Sequence, residues 1–469
     1  MLHLFKVRND KLAYDSESQA LFFVDELAEA VFSAYIENSA KRPTKAKLTE
    51  LSERSGFDIH EIEDCCDEVD ALIEQKAIFQ PPVKISVEQL YPEKPMIKSM
   101  CLHLSHDCNL RCKYCFAGQG DYGTGHRSML ALATGKRAID FLIEASRSRH
   151  NLDIDFFGGE PLLNWPVVVE LTKYAETEGP KHNKNIRLTL TTNATLLNQE
   201  KIDFLNEHMK NVVLSIDGRP ETNDRMRPAT GGRSSYALVM RNIKKFVAQR
   251  GKKEYYVRGT YTHFNTDFSK DVLHFADEGL EQLSMEPVVA PPEVDYSLKL
   301  SDLPQIEAEY ENLAHEYLRY NEKGSKNPFN FFHFNIDLEG GPCLYKRMKG
   351  CGVGSEYCAV TPEGDIYPCH QFVGNDAFIM GNVWDNPPIH NPKLEAAFAE
   401  IMVPNKPDCV KCWARYFCSG GCVANAYHDS GSLTGLYRLG CRLQKKRLEC
   451  ALWVQAKRQQ EKLRQTATN

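Results

Sequence analysis

Three thiols within eight residues, Cys108-Asn109-Leu110-Arg111-Cys112-Lys113-Tyr114-Cys115, constrain this chain more than any other feature. They follow an apolar-alternating run, Met100 to Ser105, that reads as a strand, so a short loop at its end can wrap a compact inorganic group. A 4Fe-4S cube has four irons, and thiolates are its usual protein ligands. Three cysteines leave one iron open to a ligand that is not protein, and chemistry can happen there. A structural zinc site wants four protein ligands, commonly as two separated pairs, and no obvious fourth ligand completes this loop.

Sixteen cysteines is a high count for a reducing compartment, where clustered thiols bind metals or do catalysis more often than they pair. Apart from Cys65, Cys66 and Cys101, they fall in the octet and in a dense set from Cys343 to Cys450. A secreted disulfide scaffold is short and loop-rich; 469 residues with 42% hydrophobic content can instead bury substantial cores in two to four domains. A net charge of −6, with no basic run before the C-terminal tail, argues against a nucleic-acid partner. Charges in Met1 to Asp10 and the lack of any run of about 18 apolar residues argue against a signal peptide and a membrane span. The expected location is the cytoplasm.

Residues 1–80 read as a small domain: β-type runs at His3 to Val7 and Leu12 to Tyr14, a continuation at Ala20 to Phe23, and helical patterns at Asp25 to Ile36, Thr44 to Arg54 and Ile59 to Lys76. Ala77 to Phe79 suggests a closing strand. Pro81-Pro82 and Pro92 to Pro95 mark a linker over 81–98. From 99 to 290, strands at Met100 to Ser105, Leu152 to Phe157, Ile186 to Thr192, Val212 to Asp217, Tyr255 to Thr262 and Leu283 to Val288 alternate with helical patterns at Leu130 to Ser146, Pro166 to Glu178, Gln199 to Met209, Tyr236 to Arg250 and Ser269 to Asp277. Such alternation implies an α/β fold with a parallel sheet and helices outside. Six units are too few for a closed eight-stranded barrel, so an open partial barrel or a doubly wound sheet remains, with the ligand at the carboxyl ends of the strands in either case. A bridging region with a helix at Leu303 to Tyr320 spans 291–342, the second cysteine region spans 343–450, and a C-terminal helix and tail cover 451–469. The terminal helical pattern runs from Leu443 to Leu463, and Cys450 within it reads as packing.

Suggestive residues lie at the strand ends. Gly158-Gly159-Glu160-Pro161 ends the second strand, where two glycines allow close backbone approach and Glu160 can accept from an ammonium. Thr191-Thr192-Asn193 ends the third, and Ser215-Ile216-Asp217-Gly218 the fourth. Arg227, in Asp224 to Pro228, is a candidate partner for a carboxylate, with a surface salt bridge as the plain alternative.

The octet resembles the signature of the radical S-adenosylmethionine (SAM) enzymes. The resemblance implies a partial (β/α)6 barrel in which Cys108, Cys112 and Cys115 hold a 4Fe-4S cluster whose free iron is chelated by SAM. An electron from the cluster then cleaves SAM to methionine and a 5′-deoxyadenosyl radical that abstracts a hydrogen atom from an unactivated carbon. Gly158, Gly159 and Glu160 resemble the motif that holds the SAM amino group; Thr192, Asn193, Ser215, Asp217 and Arg227 are the remaining SAM candidates.

Cys351, Gly364, Cys369, then Cys409, Cys412, Cys418 and Cys422 in a CxxCx5Cx3C run, and Cys441 resemble the SPASM extension of these enzymes, which carries two auxiliary clusters. Carried over, Cys409, Cys412, Cys418 and Cys441 ligate the outer cluster, and Cys351, Cys369 and Cys422 the inner one. Cys343, Cys358 or an external thiolate is left for its fourth position. Three 4Fe-4S clusters and SAM are the implied cofactors.

Residues 1–80 are similar to the winged-helix-like domains with which maturases of ribosomally made peptides capture a precursor's leader by adding it to a sheet edge. A DNA-binding winged helix is the rival, disfavoured by the acidic third helix with Glu61, Glu63, Asp64, Asp67, Glu68 and Asp70. Gly350 to Gly354, Tyr357 and Val360 to Phe372 look like the maturases of SCIFF peptides, small cysteine-rich precursors. The implied activity is a thioether crosslink between a cysteine sulfur and an acceptor carbon, threonine being the residue the family suggests. The implied partners are the precursor and an electron donor such as flavodoxin or ferredoxin. The alternatives are another SPASM enzyme, such as an anaerobic sulfatase maturase making formylglycine, and a non-catalytic iron-sulfur or zinc module that binds peptide or DNA.

Overall fold

The computed structural model describes residues 1–82, 84, 86–90, 96–340 and 343–468; the expected Pro92 to Pro95 part of the linker lies outside the described residues. Period-two alternation at the start of the chain gives an antiparallel meander of β1 (Leu2–Val7), β2 (Asp10–Asp15) and β3 (Leu21–Val24). Leu2 and Ala13 on one face pack with α1 (Glu26–Glu37), α2 (Lys45–Ser55) and α3 (Ile59–Glu74), while Phe5, Val7, Leu12 and Tyr14 on the other face join the main core of the molecule. α3 is started by a full capping box, Asp58 and Glu61 bonding reciprocally.

The expected closing strand at Ala77 to Phe79 is a bend instead. Lys76 and Phe79 take positive φ, the Ala77 N–H closes the end of α3 on Leu72 O, and buried Asp15 accepts the Phe79 N–H at 2.9 Å. A carboxylate therefore satisfies the amide that a strand neighbour would have taken.

The main sheet follows. β4 (Ser99–Ser105), β5 (Asn151–Gly158), β6 (Asn185–Thr192), β7 (Asn211–Ser215), β8 (Glu254–Tyr261) and β9 (Gln282–Pro287) pair in parallel in chain order. Their outward positions are apolar and buried under helices: Leu102 and Leu104, Ile154 and Phe156, Leu188 and Leu190, Val212 and Leu214. The covering helices are α4 (Leu132–Ala145), α5 (Trp165–Lys181), α6 (Gln199–His208), α7 (Pro220–Met226), α8 (Tyr236–Arg250) and α9 (Ser269–Asp277). The short α7 falls in a stretch that sequence reading treats only as a motif around Arg227, and β7 stops at Ser215, two residues before Asp217.

The sheet is larger than six strands. β10 (Asn330–Phe331) adds to β9 in parallel, while β11 (Tyr357–Val360), from the second cysteine region, adds to β4 in parallel and carries β12 (Asp365–Tyr367) and β13 (Gly381–Asn382) antiparallel beyond it. The result is an open α/β partial barrel rather than a closed one. α10 (Leu303–Tyr320) and α11 (Arg438–Thr468) lie together, joined by Arg442 to Glu307 at 2.7 Å and Lys446 to Glu311 at 2.5 Å, with Cys450 fully buried. The meander docks on the second cysteine region: the His3 ring stacks on Trp413 with centroids 4.1 Å apart, and buried Glu17 accepts from Arg415 and from Tyr416 OH. Among the described residues no helix is long and apolar enough to cross a membrane.

Candidate functional site

The cysteine loop leaves the end of β4 and is laced to the segment after α7. Arg111 N–H donates to Pro228 O at 2.8 Å and Lys113 N–H to Met226 O at 2.9 Å. The Arg111 guanidinium turns back on the carbonyls of Cys108 and Leu110. The three thiols are half-buried. Burial pushes Cys108 up to about 11 and Cys112 up to about 12, so these two thiols, when bare, keep their protons and a metal must displace them. Behind the loop, His103 Nε2 and Tyr122 OH are buried without a hydrogen-bond partner, and Tyr122 lies within electrostatic reach of Cys108 and Cys115. Soft donors beside unmet polar atoms suit an iron-sulfur cluster. Among the described residues no three His, Cys, Asp or Glu side chains converge at single-ion spacing, so the case for a cluster rests on the thiols' spacing along the loop and on the comparisons below.

The two glycines at the end of β5 do allow a close approach, but of protein to protein. A Cβ on Gly158 would lie 2.3 Å from Ser105 O, and one on Gly159 would lie 2.1 Å from Asp107 O. The strand end is thus pressed against the root of the cysteine loop, where Gly159 N–H donates to Ser105 O and Glu160 N–H to Asp107 O. Glu160 is fully buried and accepts from Leu162 N–H (3.0 Å), Thr192 OH (2.7 Å) and Asn193 N–H (2.8 Å); burial raises its carboxyl above the ordinary range. Asn193 in turn donates to Asn109 Oδ1 at 2.8 Å and faces Cys108 Sγ at 3.7 Å. Asn109, which sequence reading left out, thereby ties the loop to the end of β6.

Asp217 and Arg227 meet through the aromatic residue of the octet. Tyr114 OH donates to Asp217 Oδ2 at 2.6 Å and accepts from Arg227 Nη1 at 2.9 Å, while Thr260 N–H donates to Asp217 Oδ1 at 3.1 Å. Arg227 is 8% exposed, so the surface salt bridge considered for it gives way to a buried bracing contact on the cysteine loop. Burial holds the Asp217 carboxyl up at about 6 despite the guanidinium. Ser215 is half-buried and faces the hollow of the sheet.

The second region forms two separate groups. Cys418 lies within electrostatic reach of Cys441, Cys409 and Cys412, and Cys369 within that of Cys422 and Cys351. Cys343 is exposed at the start of a short helix, and Cys358 is buried in the apolar core.

Between the groups and the sheet lies a cavity of about 710 Å³. One wall is the inner face of the strands, with Asp155, Phe157, Thr191, Ser215, Arg258, Thr260 and Glu286, beside Tyr114 and Phe116 of the cysteine loop; the other carries Cys418, Cys422 and Cys441. These inner positions were legible in principle. A parallel strand buried on both faces is apolar throughout, so polar residues at every second position mark a face that borders a hollow. Asp155 stands out among them. Among the described residues its carboxylate accepts one hydrogen bond, a long one from Thr191 OH at 3.4 Å, and burial pushes the carboxyl up to about 7. A carboxyl raised in the folded state favours folding below its ordinary value near 3.9, and that advantage is lost as pH rises through 7. Asp155→Asn should therefore flatten the fall in unfolding free energy between pH 5 and pH 8, gaining ~1 kcal/mol at the upper end, since water in the hollow screens the charge. Urea melts at the two pH values check this, and parallel curves for wild type and variant would contradict it.

Residues 102–277 match the family model of the radical SAM superfamily, and 351–413 match SPASM, an iron-sulfur cluster-binding domain. The mycofactocin maturase MftC of Mycolicibacterium smegmatis is 25% identical over 76% of this chain and 85% of its own length. Two solved structures share the fold. Native anSMEcpe with bound AdoMet and Cp18Cys peptide has a TM-score of 0.60 at 23% identity, covering 76% of this chain and 97% of its own. Streptococcus suis SuiB bound to precursor peptide SuiA has a TM-score of 0.50 at 14% identity, covering 92% and 97%.

Proposed function

We propose, from the premise that this chain carries a radical SAM domain and a SPASM iron-sulfur domain, that it is a peptide maturase. In this reading it joins a cysteine sulfur to an acceptor carbon, that of threonine, within a small cysteine-rich precursor. The observation that carries the reading is the 710 Å³ cavity, because a peptide side chain held in it faces the Cys108 to Cys115 loop on one side and Cys422 on the other. A volume of this size suits a few residues rather than a folded domain.

Cys108, Cys112 and Cys115 would hold one 4Fe-4S cluster, with SAM lodged among Gly158, Gly159, Glu160, Thr192, Asn193, Ser215, Asp217 and Arg227. When bound, this pair supplies a carbon-centred radical able to take a hydrogen atom from an unactivated C–H. The chain's own part is placement. Glu160 offers Oε2, which has one donor in Asn193 N–H, to an incoming ammonium. Tyr114, Asp217 and Arg227 brace the loop. Phe116, Phe157 and Phe417 line the cavity with apolar surface that keeps water from a reactive carbon. Cys409, Cys412, Cys418 and Cys441 would hold the outer auxiliary cluster, and Cys351, Cys369 and Cys422 the inner one. Cys343, Cys358 or an external thiolate would complete the inner cluster, and in this reading the substrate's own thiolate takes that position. The precursor's leader would pair with an edge of the β1–β3 sheet, which reaches the second cysteine region through Glu17 and Arg415.

Anaerobic incubation of the holoenzyme with SAM, dithionite and a small cysteine-rich precursor peptide, followed by mass spectrometry, tests this. The expected product lacks two hydrogens per bridge and has lost one alkylatable thiol per bridge, with 5′-deoxyadenosine formed; 5′-deoxyadenosine without thiol loss rejects thioether formation. Cys422→Ala should keep SAM cleavage and lose crosslinking, and retained crosslinking would count against the inner-cluster role.

A further inference from the structure

Lys406 is a cation held in the molecule's interior. It is 2% exposed, sits immediately before the turn that carries Cys409, and lends its main-chain carbonyl to the N–H groups of Cys409 and Val410. Its ammonium has three protons to place. Among the described residues one acceptor takes one of them, Gly420 O at 3.2 Å, and no carboxylate pairs with it. Buried charges are otherwise paired or fully hydrogen-bonded, because an uncompensated ion in an apolar interior is strongly destabilising. Lys98, by contrast, has Glu356 at 2.5 Å, and Arg447 has Glu286. What surrounds Lys406 is sulfur: Cys409, Cys418, Cys441 and Cys422 all lie within reach of its charge.

A cube held by four thiolates carries net negative charge in both of its usual oxidation states, and charge and hydrogen bonds at its sulfurs set its potential. We propose that Lys406 is the resident counter-charge of the outer auxiliary cluster, retaining it and holding its reduction potential above what four thiolates alone would give. This rests on the reading of Cys409, Cys412, Cys418 and Cys441 as its ligands. The position also explains why a lysine is tolerated there: the ion and the cluster neutralise one another, and each is costly alone.

The test is an EPR-monitored redox titration of the reconstituted holoenzyme with iron and sulfide analysis, on wild type, Lys406→Met and Lys406→Arg. Removing the charge disfavours the added electron, so Lys406→Met should move the outer cluster's midpoint to more negative potential, or lose that cluster's iron, while the signal of the cluster that binds SAM is unchanged. Lys406→Arg should stay near wild type. An unmoved midpoint at full iron loading in Lys406→Met, or an equal shift in Lys406→Arg, overturns the proposal. Wild type lacking an outer cluster overturns the ligand reading itself, a result separable from the first. A second measurement covers a poorly folding single variant: in a Cys409→Ser, Cys412→Ser background, where the lysine has no counter-charge, adding Lys406→Met should raise the melting temperature, and a drop there would also overturn the proposal.

Discussion

Cys112→Ala should abolish 5′-deoxyadenosine formation, by about a thousandfold or more, and remove one cluster's worth of iron while leaving the protein folded. The size follows from the ligand count. Three thiols are the least that can grip a cube while leaving one iron for SAM, and the flanking main-chain N–H groups of Arg111 and Lys113 only donate hydrogen bonds, to Pro228 O and Met226 O. Those same bonds explain why the fold should survive. They hold the loop whether or not the thiol is present, and losing one half-buried sulfur costs on the order of 1 kcal/mol, well inside the margin of a domain this large. The measurement is chromatographic detection of 5′-deoxyadenosine alongside iron analysis and a thermal melt. SAM cleavage near the wild-type rate would remove the octet from the chemistry.

Much of this architecture was open to reading along the chain because it is local. The helices at Tyr236–Arg250, Ser269–Asp277 and Leu303–Tyr320 begin and end where their apolar spacing does, and the strands betray themselves by runs such as Met100, Leu102 and Leu104. The crowding of cysteines between 108 and 115 and between 409 and 422 is likewise plain along the chain, since spacing is a local property. What escaped was decided by distant partners. β11 joins β4 through Tyr357 beside Ser99, a pairing that no window of neighbouring residues contains, and so the second cysteine region was read as an appendage when it extends the sheet. The Ala77 to Phe79 bend depends on a carboxylate more than sixty positions earlier. Asp155 and Lys406 carry no local signal of their surroundings, because those of the one come from the second wall of the cavity and those of the other from thiols spread between Cys409 and Cys441.

Gly159→Ala should damage stability and SAM binding together. The new carbon would lie 2.1 Å from Asp107 O, 2.6 Å from Asp107 C and 3.0 Å from Gly120 Cα, all main-chain atoms, so no side chain can rotate out of the way. Relief requires the end of β5 and the root of the cysteine loop to separate by roughly an ångström, a displacement that strains packed interiors by about 1–3 kcal/mol. The separation also acts on the bonds joining the two. Gly159 N–H to Ser105 O and Glu160 N–H to Asp107 O are 2.7 and 2.9 Å now, and lengthening both without breaking them adds about 0.5 kcal/mol each. The expected result is a loss of about 2–4 kcal/mol in urea unfolding, together with weaker SAM binding, because Cys108 follows Asp107 directly and Glu160 follows Gly159. Stability and SAM affinity should therefore fall together, whereas a change at a remote glycine such as Gly56, whose Cβ would meet nothing within 4 Å, should spare SAM affinity whatever its left-handed φ costs in stability. If Gly159→Ala melted like wild type and bound SAM as tightly, the strand end and the ligand loop would not be one mechanical unit, and the placement argued for Glu160 would lose its support.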